Sequence, residues 1–277
     1  MDGAKRVYLR RCPDAVGDAN HFGQGYQPPK HKRAIARSTA AFTVAMLPFW
    51  YVVTRAVSIR GSAAASPVKH RTFTTNFSRA EDPISEAGKW TNGQTDGLDW
   101  TNVRTTRGFA FGTELGGRRP PPQKYDDSTA LLTGTWSANQ AAEATVRAVN
   151  PNDNINKEVE LRLRSSLSPH KATGYEILFR ASKSPNAYCE IVRWNGPLGD
   201  FTYLSRAKGP QCGVATGDMV RAMIVGSVIT AYINGAQVVE ANDNTYASGN
   251  PGIGFYLEGA TGVNRDYGFT SFTASDE

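Results

Sequence analysis

The sequence predicts an all-β chain folded as a two-sheet antiparallel jelly-roll sandwich. Many short segments alternate apolar and polar residues, which is the pattern of half-buried strands. Turn signals rich in glycine, asparagine and proline separate these segments at short, regular intervals. No long stretch carries apolar residues at the 3.6-residue spacing of an amphipathic helix. Residues 66–277 are enough for one such sandwich, and neither a second domain nor an internal repeat is evident.

The first half of this domain contains the shorter predicted strands. They lie in "FTTNFSRAE", "WTNGQTDGLDWTNV", "GFAFGTE" and "DSTALLTGTW", with loops rich in glycine and aspartate. In "SANQAAEATVRAV" only the second half is predicted to be a strand, because Ala144, Val146 and Ala148 alternate with polar residues. The tryptophans near strand ends are expected to pack in the core; these are Trp90, Trp100 and Trp136.

The second half contains longer strands with stricter alternation. "EVELRLRS" (158–165) places Val159, Leu161 and Leu163 on one face. "GYEILFRAS", "NAYCEIVRW" and "FTYLSRA" continue as a meander, with a turn in "NGPLGD". "DMVRAMIVG" precedes "VITAYINGAQVVEA", which predicts a tight hairpin around Asn234 and Gly235. "GIGFYLEG" and "DYGFTSFTAS" are the last predicted strands.

The positive charge of the chain is concentrated in its first 65 residues. The net charge is +6. Residues 1–65 carry 10 lysines and arginines and 3 acidic residues, a net charge of +7. Residues 66–277 carry the other 21 lysines and arginines and 22 acidic residues, a net charge of −1. The basic excess therefore lies outside the predicted domain. No basic stripe with interleaved aromatics indicates a nucleic-acid partner.

Residues 1–65 are predicted to be a leader rather than part of the fold. A basic stretch is followed by the apolar run "TAAFTVAMLPFWYVV" (39–53) and by the small residues of "GSAAAS". This order is typical of a secretory signal, with a cleavage site before Ser66. Segment 39–65 thus predicts a secreted or cell-surface protein whose mature domain does not insert into a membrane. An uncleaved membrane anchor is the alternative, although the apolar run is shorter than a bilayer span.

Two cysteines lie in the predicted domain. Cys189 is on a predicted strand, and Cys212 is in the loop after the neighbouring strand of the hairpin. In an exported chain this arrangement favours a disulfide bond between them. Two unpaired thiols, one of them buried, are the alternative.

The predicted meander over residues 158–194 places charged side chains on neighbouring strands. We interpret this face as a candidate ligand-binding surface, because arginine and glutamate bind hydroxyl groups and an indole stacks on a sugar ring. The arginines would also suit the carboxylates of uronic acids. A solvated sheet face with cross-strand ion pairs is the alternative. The candidate ligand-binding residues are Glu160, Arg162, Arg164, Glu176, Arg180, Glu190 and Trp194.

The later strands resemble the concanavalin A-like lectin/glucanase superfamily, especially its laminin-G-like bacterial members. The resemblance rests mainly on "TGDMVRAMIVGSVITAYINGAQVVEANDNTYASGNPGIGFY" (216–256), with "NFSRAEDPISEAGKW" (76–90) similar to the first strand and loop of that group. It covers about residues 72–275. It implies a concanavalin A-like jelly roll and leaves the activity open, because this superfamily contains lectins, adhesion modules, glycosidases and lyases.

The motifs of the enzymatic branches are absent. The endoglucanase pattern E-x-D-x-x-E does not occur; "KEVELRLR" is the nearest segment. "ELRLR" is similar to the arginine-rich strand of the alginate-lyase-like branch, but the Gln-x-His and Tyr-x-Lys-x-Gly strands are missing. His70 and His170, the histidines of the predicted domain, lie outside strand patterns, which argues against a histidine base or a zinc site.

No cofactor is predicted, although a structural calcium ion is common in the superfamily that the chain resembles. Asp126 and Asp266 are the candidate ligands, because both are expected in loops or at strand edges. The "NDN" segments at 152–154 and 242–244 match no fixed-spacing calcium loop and are typical of turns.

The expected function is therefore that of an exported, non-catalytic carbohydrate-binding module with a polysaccharide or glycan as partner. A polysaccharide-degrading enzyme is the first alternative, with a carboxylate pair on the concave sheet formed by Glu160 or Glu190 with Glu176. A structural or adhesion module without a sugar site is the second.

Overall fold

A computed structural model describes residues 70–97 and 99–277 of the chain. The leader and the proposed cleavage site before Ser66 lie outside these residues, so residues 1–65 and the domain boundary remain predictions.

Among the described residues, four single-turn 3-10 helices cover Gln94–Asp96, Gln123–Tyr125, Pro210–Cys212 and Asn264–Asp266. The strands are β1 (Thr72–Thr75), β2 (Trp90–Asn92), β3 (Arg104–Thr106), β4 (Phe109–Phe111), β5 (Ser128–Leu132), β6 (Gln140–Ala148), β7 (Asn156–Ser168), β8 (Lys171–Arg180), β9 (Tyr188–Gly196), β10 (Phe201–Lys208), β11 (Met219–Val225), β12 (Val228–Ile233), β13 (Ala236–Asn242), β14 (Asn250–Glu258) and β15 (Tyr267–Asp276).

The strands form two antiparallel sheets, which confirms the predicted two-sheet sandwich. The seven-stranded sheet has the order β10-β9-β8-β7-β14-β5-β2. The eight-stranded sheet has the order β13-β12-β11-β6-β15-β4-β3, with β1 also paired to β15. Within the described residues, no helix has the length and apolar character to cross a membrane.

The core lies between the sheets and follows the predicted alternation. On β7, Val159, Leu161 and Leu163 are fully buried in the main apolar cluster. On the neighbouring β8, Tyr175, Ile177 and Phe179 also point into this cluster, as do alternate residues of the facing sheet. The predicted burial of the tryptophans is confirmed for Trp90, Trp100 and Trp136.

The Asn234–Gly235 turn joins β12 to β13, as predicted. Both residues have positive φ, 50° for Asn234 and 80° for Gly235, which is the conformation that a two-residue hairpin of this kind requires.

The prediction for "SANQAAEATVRAV" was wrong in its first half. Strand β6 begins at Gln140, because Ala141 and Ala142 pair with β11 on one side and β15 on the other. Alanine is a weak strand former on its own. Its small side chain is tolerated here because β6 is a central strand, and tertiary pairing outweighs local preference.

A disulfide bond joins Cys189 of β9 to Cys212 of the third 3-10 helix. Their Cα atoms are 4.9 Å apart, and both side chains are fully buried. The bond connects the segment that follows β10 to strand β9, the neighbour of β10 in the sheet.

Candidate functional site

A pocket opens on the outer face of the seven-stranded sheet, the face that turns away from the core. Its enclosed volume is about 190 Å³. Strand pairing builds its floor: Glu158 of β7 is opposite Tyr256 of β14 on one side and Arg180 of β8 on the other. On the next strands, Leu178 is opposite Glu190, and Glu190 is opposite Arg206. Residues from five adjacent strands therefore meet at one site.

A buried guanidinium group organises the carboxylates beneath the pocket. Arg162 Nη2 is 2.6 Å from Glu160 Oε2, and Nη1 is 2.5 Å from Glu176 Oε2. Asp127 Oδ2 lies farther off, 3.7 Å from Nη2. Glu160 is 0% exposed. Burial, followed by the charge of Glu176, raises the pKa of both Asp127 and Glu160 well above their ordinary values.

Trp194 forms part of the pocket wall but is not an open stacking platform. Its Nε1 donates a hydrogen bond to Glu176 Oε2 over 2.5 Å. Its ring packs against Trp100 and Phe201, with centroid distances of 5.5 and 5.2 Å. Only 3% of Trp194 is exposed, so its main role is to position Glu176 and close the side of the pocket.

Glu158 is a buried carboxyl group on the wall of the pocket. The Tyr188 hydroxyl donates a hydrogen bond to its Oε1. Burial, with smaller contributions from the charges of Glu190 and Glu176, raises the pKa of Glu158 to about 8. Glu158 therefore holds a proton at neutral pH.

Glu190 faces the same pocket and forms an ion pair with Arg206 of β10. Burial raises the pKa of Glu190 to about 7, and the charge of Arg206 opposes that rise. The Arg206 side chain is 45% exposed, so this cation lies at the rim while Glu190 lies on the floor.

Aromatic side chains form much of the rim. Tyr125 packs edge-on against Phe201 at 4.9 Å, and Phe201 packs edge-on against Tyr203 at 5.3 Å. Tyr203 is 56% exposed. Tyr256 lies on the opposite side, with its hydroxyl group bonded to Glu258. The pocket thus combines a carboxylate floor with an aromatic rim.

Two arginines of the predicted ligand-binding set lie outside the pocket. Arg164 is at a bulge where the β7–β8 register shifts, and its φ is 44°. The Arg164 side chain is therefore not on the sheet face that carries Glu160 and Arg162. Its guanidinium group donates to three backbone carbonyl groups in other segments, those of Ala138, Gly226 and Tyr246.

Arg180 is on the expected face, but its guanidinium group already donates hydrogen bonds to other groups of the protein. It donates to the Asn156 side chain and to the carbonyl groups of Asp153 and Ile155. The arginines expected to bind ligand are thus occupied. The solvated-face alternative also fails, because most of the charged side chains on this face are buried.

The candidate calcium ligands do not form a site. Asp126 forms an ion pair with Arg119 at 2.7 Å, and Asp266 Oδ2 accepts a hydrogen bond from Asn150. Among the described residues, the one carboxylate trio close enough to hold an ion comprises Asp127, Glu160 and Glu176, within 4.8 Å of one another. The guanidinium group of Arg162 already contacts all three, so the residues do not fit calcium.

Several pocket residues were not among the predicted site residues. Period-two alternation could have identified Tyr188, which shares a face with Glu190 and Trp194. Pairing with Glu190 identifies Arg206 only once the β9–β10 register is known. Asp127 precedes β5 in a loop and gives no signal in the sequence. Glu158, Tyr203 and Tyr256 are further lining residues outside the predicted set.

Comparisons with known proteins concern the fold. No protein family model and no curated protein matches the chain. Among solved structures, a carbohydrate-binding module from Bacillus subtilis is 15% identical, covering 71% of this chain and 97% of its own, with a TM-score of 0.45. The potassium-bound Emp46p carbohydrate recognition domain is 12% identical, with coverage of 72% and 94% and a TM-score of 0.47.

A third similar structure is the GlcNAcα1-4Gal-releasing endo-β-galactosidase from Clostridium perfringens. It is 12% identical, covering 76% of this chain and 64% of its own, with a TM-score of 0.45. By its two antiparallel sheets and their strand order, the chain is a jelly-roll β-sandwich, the architecture that the sequence resemblance implied.

Proposed function

We propose that this chain is an exported, non-catalytic carbohydrate-binding module whose ligand enters the pocket on the seven-stranded sheet. The observation that carries this proposal is the combination of buried carboxylates and an aromatic rim around one cavity. Carboxylates accept hydrogen bonds from sugar hydroxyl groups, and aromatic rings pack on the apolar faces of sugar rings. The disulfide bond supports export, because such bonds persist in oxidising compartments.

The pocket favours part of a saccharide over a large ligand. Its volume of about 190 Å³ is below the roughly 300–1,000 Å³ of pockets for drug-sized molecules. A single ring-sized group fills it, and the rest of a glycan extends over the exposed rim at Tyr203. Uronic acids are disfavoured, because the arginines that suggested them are already bonded within the protein.

The proposal excludes catalysis by the Glu160–Glu176 form of the predicted carboxylate pair. Glu160 and Glu176 are both ion-paired with the guanidinium group of Arg162. Glu160 is completely buried, so it has no path to a glycosidic bond.

The test is to incubate the purified chain with neutral, uronic and amino polysaccharides and to measure retention and product release together. We expect retention without new reducing or unsaturated ends. Tyr203→Ala should weaken retention about tenfold, because an aromatic anchor at the rim is lost. Tyr232→Ala, on the outer face of the other sheet, is the matched control. Absence of retention on every polysaccharide would favour the structural or adhesion module.

A hydrolase is the second candidate, and the state of Glu158 favours it. A carboxyl group with a pKa of about 8 is protonated at neutral pH and can act as a general acid. Glu190 would then be the carboxylate that faces it across the pocket. Product release that Glu158→Gln abolishes while retention persists would establish this candidate and overturn the non-catalytic proposal.

A further inference from the structure

The pocket lining and the charged side chains linked to it through Arg162 or Tyr188 contain more acids than bases. The acids are Asp127, Glu158, Glu160, Glu176, Glu190 and Glu258, and the bases are Lys124, Arg162, Arg180 and Arg206. Six carboxyl groups against four cations leave an excess of two acids. Excess acids in a buried site must hold protons or meet a cation from outside.

Two of these carboxyl groups are the least closely paired with a cation. Arg162 pairs with Glu160 and Glu176, Arg206 with Glu190, and Lys124 with Glu258 at 3.9 Å. Glu158 has a tyrosine hydroxyl group as its close partner instead of a cation. Asp127 lies 3.7 Å from Arg162, whose closer bonds go elsewhere.

Asp127 also presents an unused hydrogen-bond acceptor. Its Oδ1 is buried and has no hydrogen-bond partner among the described residues, and Asp127 lines the cavity. A buried acceptor without a donor is unfavourable by about 1–3 kcal/mol. A ligand that brings a donor to this oxygen removes that cost, so the cavity is suited to a donor group.

The walls favour an organic cation over a metal ion. Tyr188, Tyr203 and Tyr256 line the same cavity as the two carboxyl groups. Aromatic faces attract ammonium groups and pack against sugar rings. Calcium instead requires six to eight oxygen ligands, more than these two carboxyl groups supply.

We propose that the pocket takes a saccharide ring bearing a protonated amino group, with its ammonium bound by Glu158 and Asp127. This inference rests on the proposed saccharide binding and specifies its ligand class. The ammonium supplies the donor that Asp127 Oδ1 lacks and the charge that Glu158 lacks. Binding releases the proton that Glu158 holds in the empty pocket.

The groups facing Glu158 come from every adjoining strand, and they set this proton release. They are Glu160 on its own strand, Glu176 and Arg180 on β8, Tyr188 and Glu190 on β9, Tyr256 on β14 and Asp127 before β5. Arg180 is the one cation among them that acts on Glu158, so a ligand cation bound at this site favours ionisation of the carboxyl group.

The experiment compares glucosamine tetramer with N-acetylglucosamine tetramer by calorimetry on the full chain, at a pH below the pKa of the amine. We expect the amino form to bind at least tenfold more tightly. In two buffers of different ionisation enthalpy, it should release about one proton per site. Glu158→Gln and Asp127→Asn should each remove the preference while N-acetylglucosamine binding persists. Glu143→Gln, on the other sheet, is the control.

The outcomes separate this inference from the proposed function. Equal or tighter binding of the N-acetylated tetramer overturns the amino-sugar inference and leaves saccharide binding intact. Binding of neither tetramer, with retention on another neutral glycan, also overturns the inference alone. Calcium chloride that abolishes binding of the amino tetramer without affecting the N-acetylated one would assign the carboxylates to an inorganic cation. If a variant fails to fold, the wild-type comparison and proton count still decide.

Discussion

Arg162 is the cation that pairs with the buried carboxylates Glu160 and Glu176. We predict that Arg162→Met destabilises the fold by about 3–5 kcal/mol at neutral pH, because Glu160 and Glu176 remain buried without a cation. The loss should shrink in acid, because protonation of Glu160, whose pKa is raised by burial, removes a buried charge. Urea unfolding at several pH values measures both effects. Arg221→Met, which removes exposed pairs with Glu143 and Glu277, should cost no more than about 1 kcal/mol.

Glu158 gives the stability of the protein a distinctive pH dependence. Its pKa is raised from 4.5 to about 8 in the folded state. The folded protein therefore holds more protons than the unfolded chain between these values, and stability falls as pH rises through that window. Below the lower value, this contribution is fully present.

We predict that Glu158→Gln flattens this decline, since an amide does not titrate. The slope removed is at most about 1.4 kcal/mol per pH unit for one proton. Unfolding midpoints between the two pKa values measure it. Glu240→Gln, exposed on β13, should leave the slope unchanged, and an unchanged slope in Glu158→Gln would contradict the assignment.

Strand β14 makes room for the buried ion pair through a glycine. Gly254 is opposite Glu160 in the register, and a Cβ atom there would clash with Glu160 Oε2. We predict that Gly254→Ala costs about 1–3 kcal/mol through overpacking. In a double-mutant cycle with Glu160→Ala, the combined loss should be smaller than the sum, because the second change removes the clashing group. Strict additivity would show that the two residues do not share this space.

The disulfide bond stabilises strand β9 and the segment after β10. Its cysteines are 23 residues apart, for which loop-closure entropy predicts a contribution of about 3 kcal/mol. We expect a Cys189→Ala and Cys212→Ala double variant to lose about this amount in urea unfolding. Wild-type protein in reducing agent should lose a similar amount, and the double variant should not respond to the reductant.

Strand alternation predicted more of the fold than of the site. It assigned Val159 and Leu161 to the core and their charged neighbours to the other face. It could not show that this outer face is buried, because burial depends on which strands and loops come to lie against it. The bulge at Arg164 breaks the alternation through backbone geometry, and Asp127 reaches the site from a loop.

The two ends of the described chain meet in the middle of the eight-stranded sheet. Strand β15 pairs with β6 and β4, and β1 pairs with β15, for example Thr72 with Ser275. The eight-stranded sheet can therefore form completely only after β15, its last strand in chain order, has paired with β6 and β4. Folding dominated by such distant pairings is slow, on the order of milliseconds to seconds.

We predict that a chain ending before Tyr267 shows no cooperative unfolding transition, because β6 and β4 lose their shared partner. Near-ultraviolet circular dichroism and urea titration measure this. Removing Glu277 alone should leave the transition nearly intact, since this residue follows β15. A cooperative transition in the shortened chain would contradict the central role of β15.

The pocket has a floor on interior strands and a rim on β10, the outermost strand of its sheet. Several floor residues are joined by the ion pairs of Arg162, so a substitution at one of them also affects its partners. Tyr203 on the rim projects into solvent and lies outside the Arg162 ion-pair cluster. Substitutions at the rim can therefore change what the pocket binds while the scaffold stays the same. Among related proteins, we expect the sequence of β10 to vary with the ligand and the sequences of β7 and β8 to be retained.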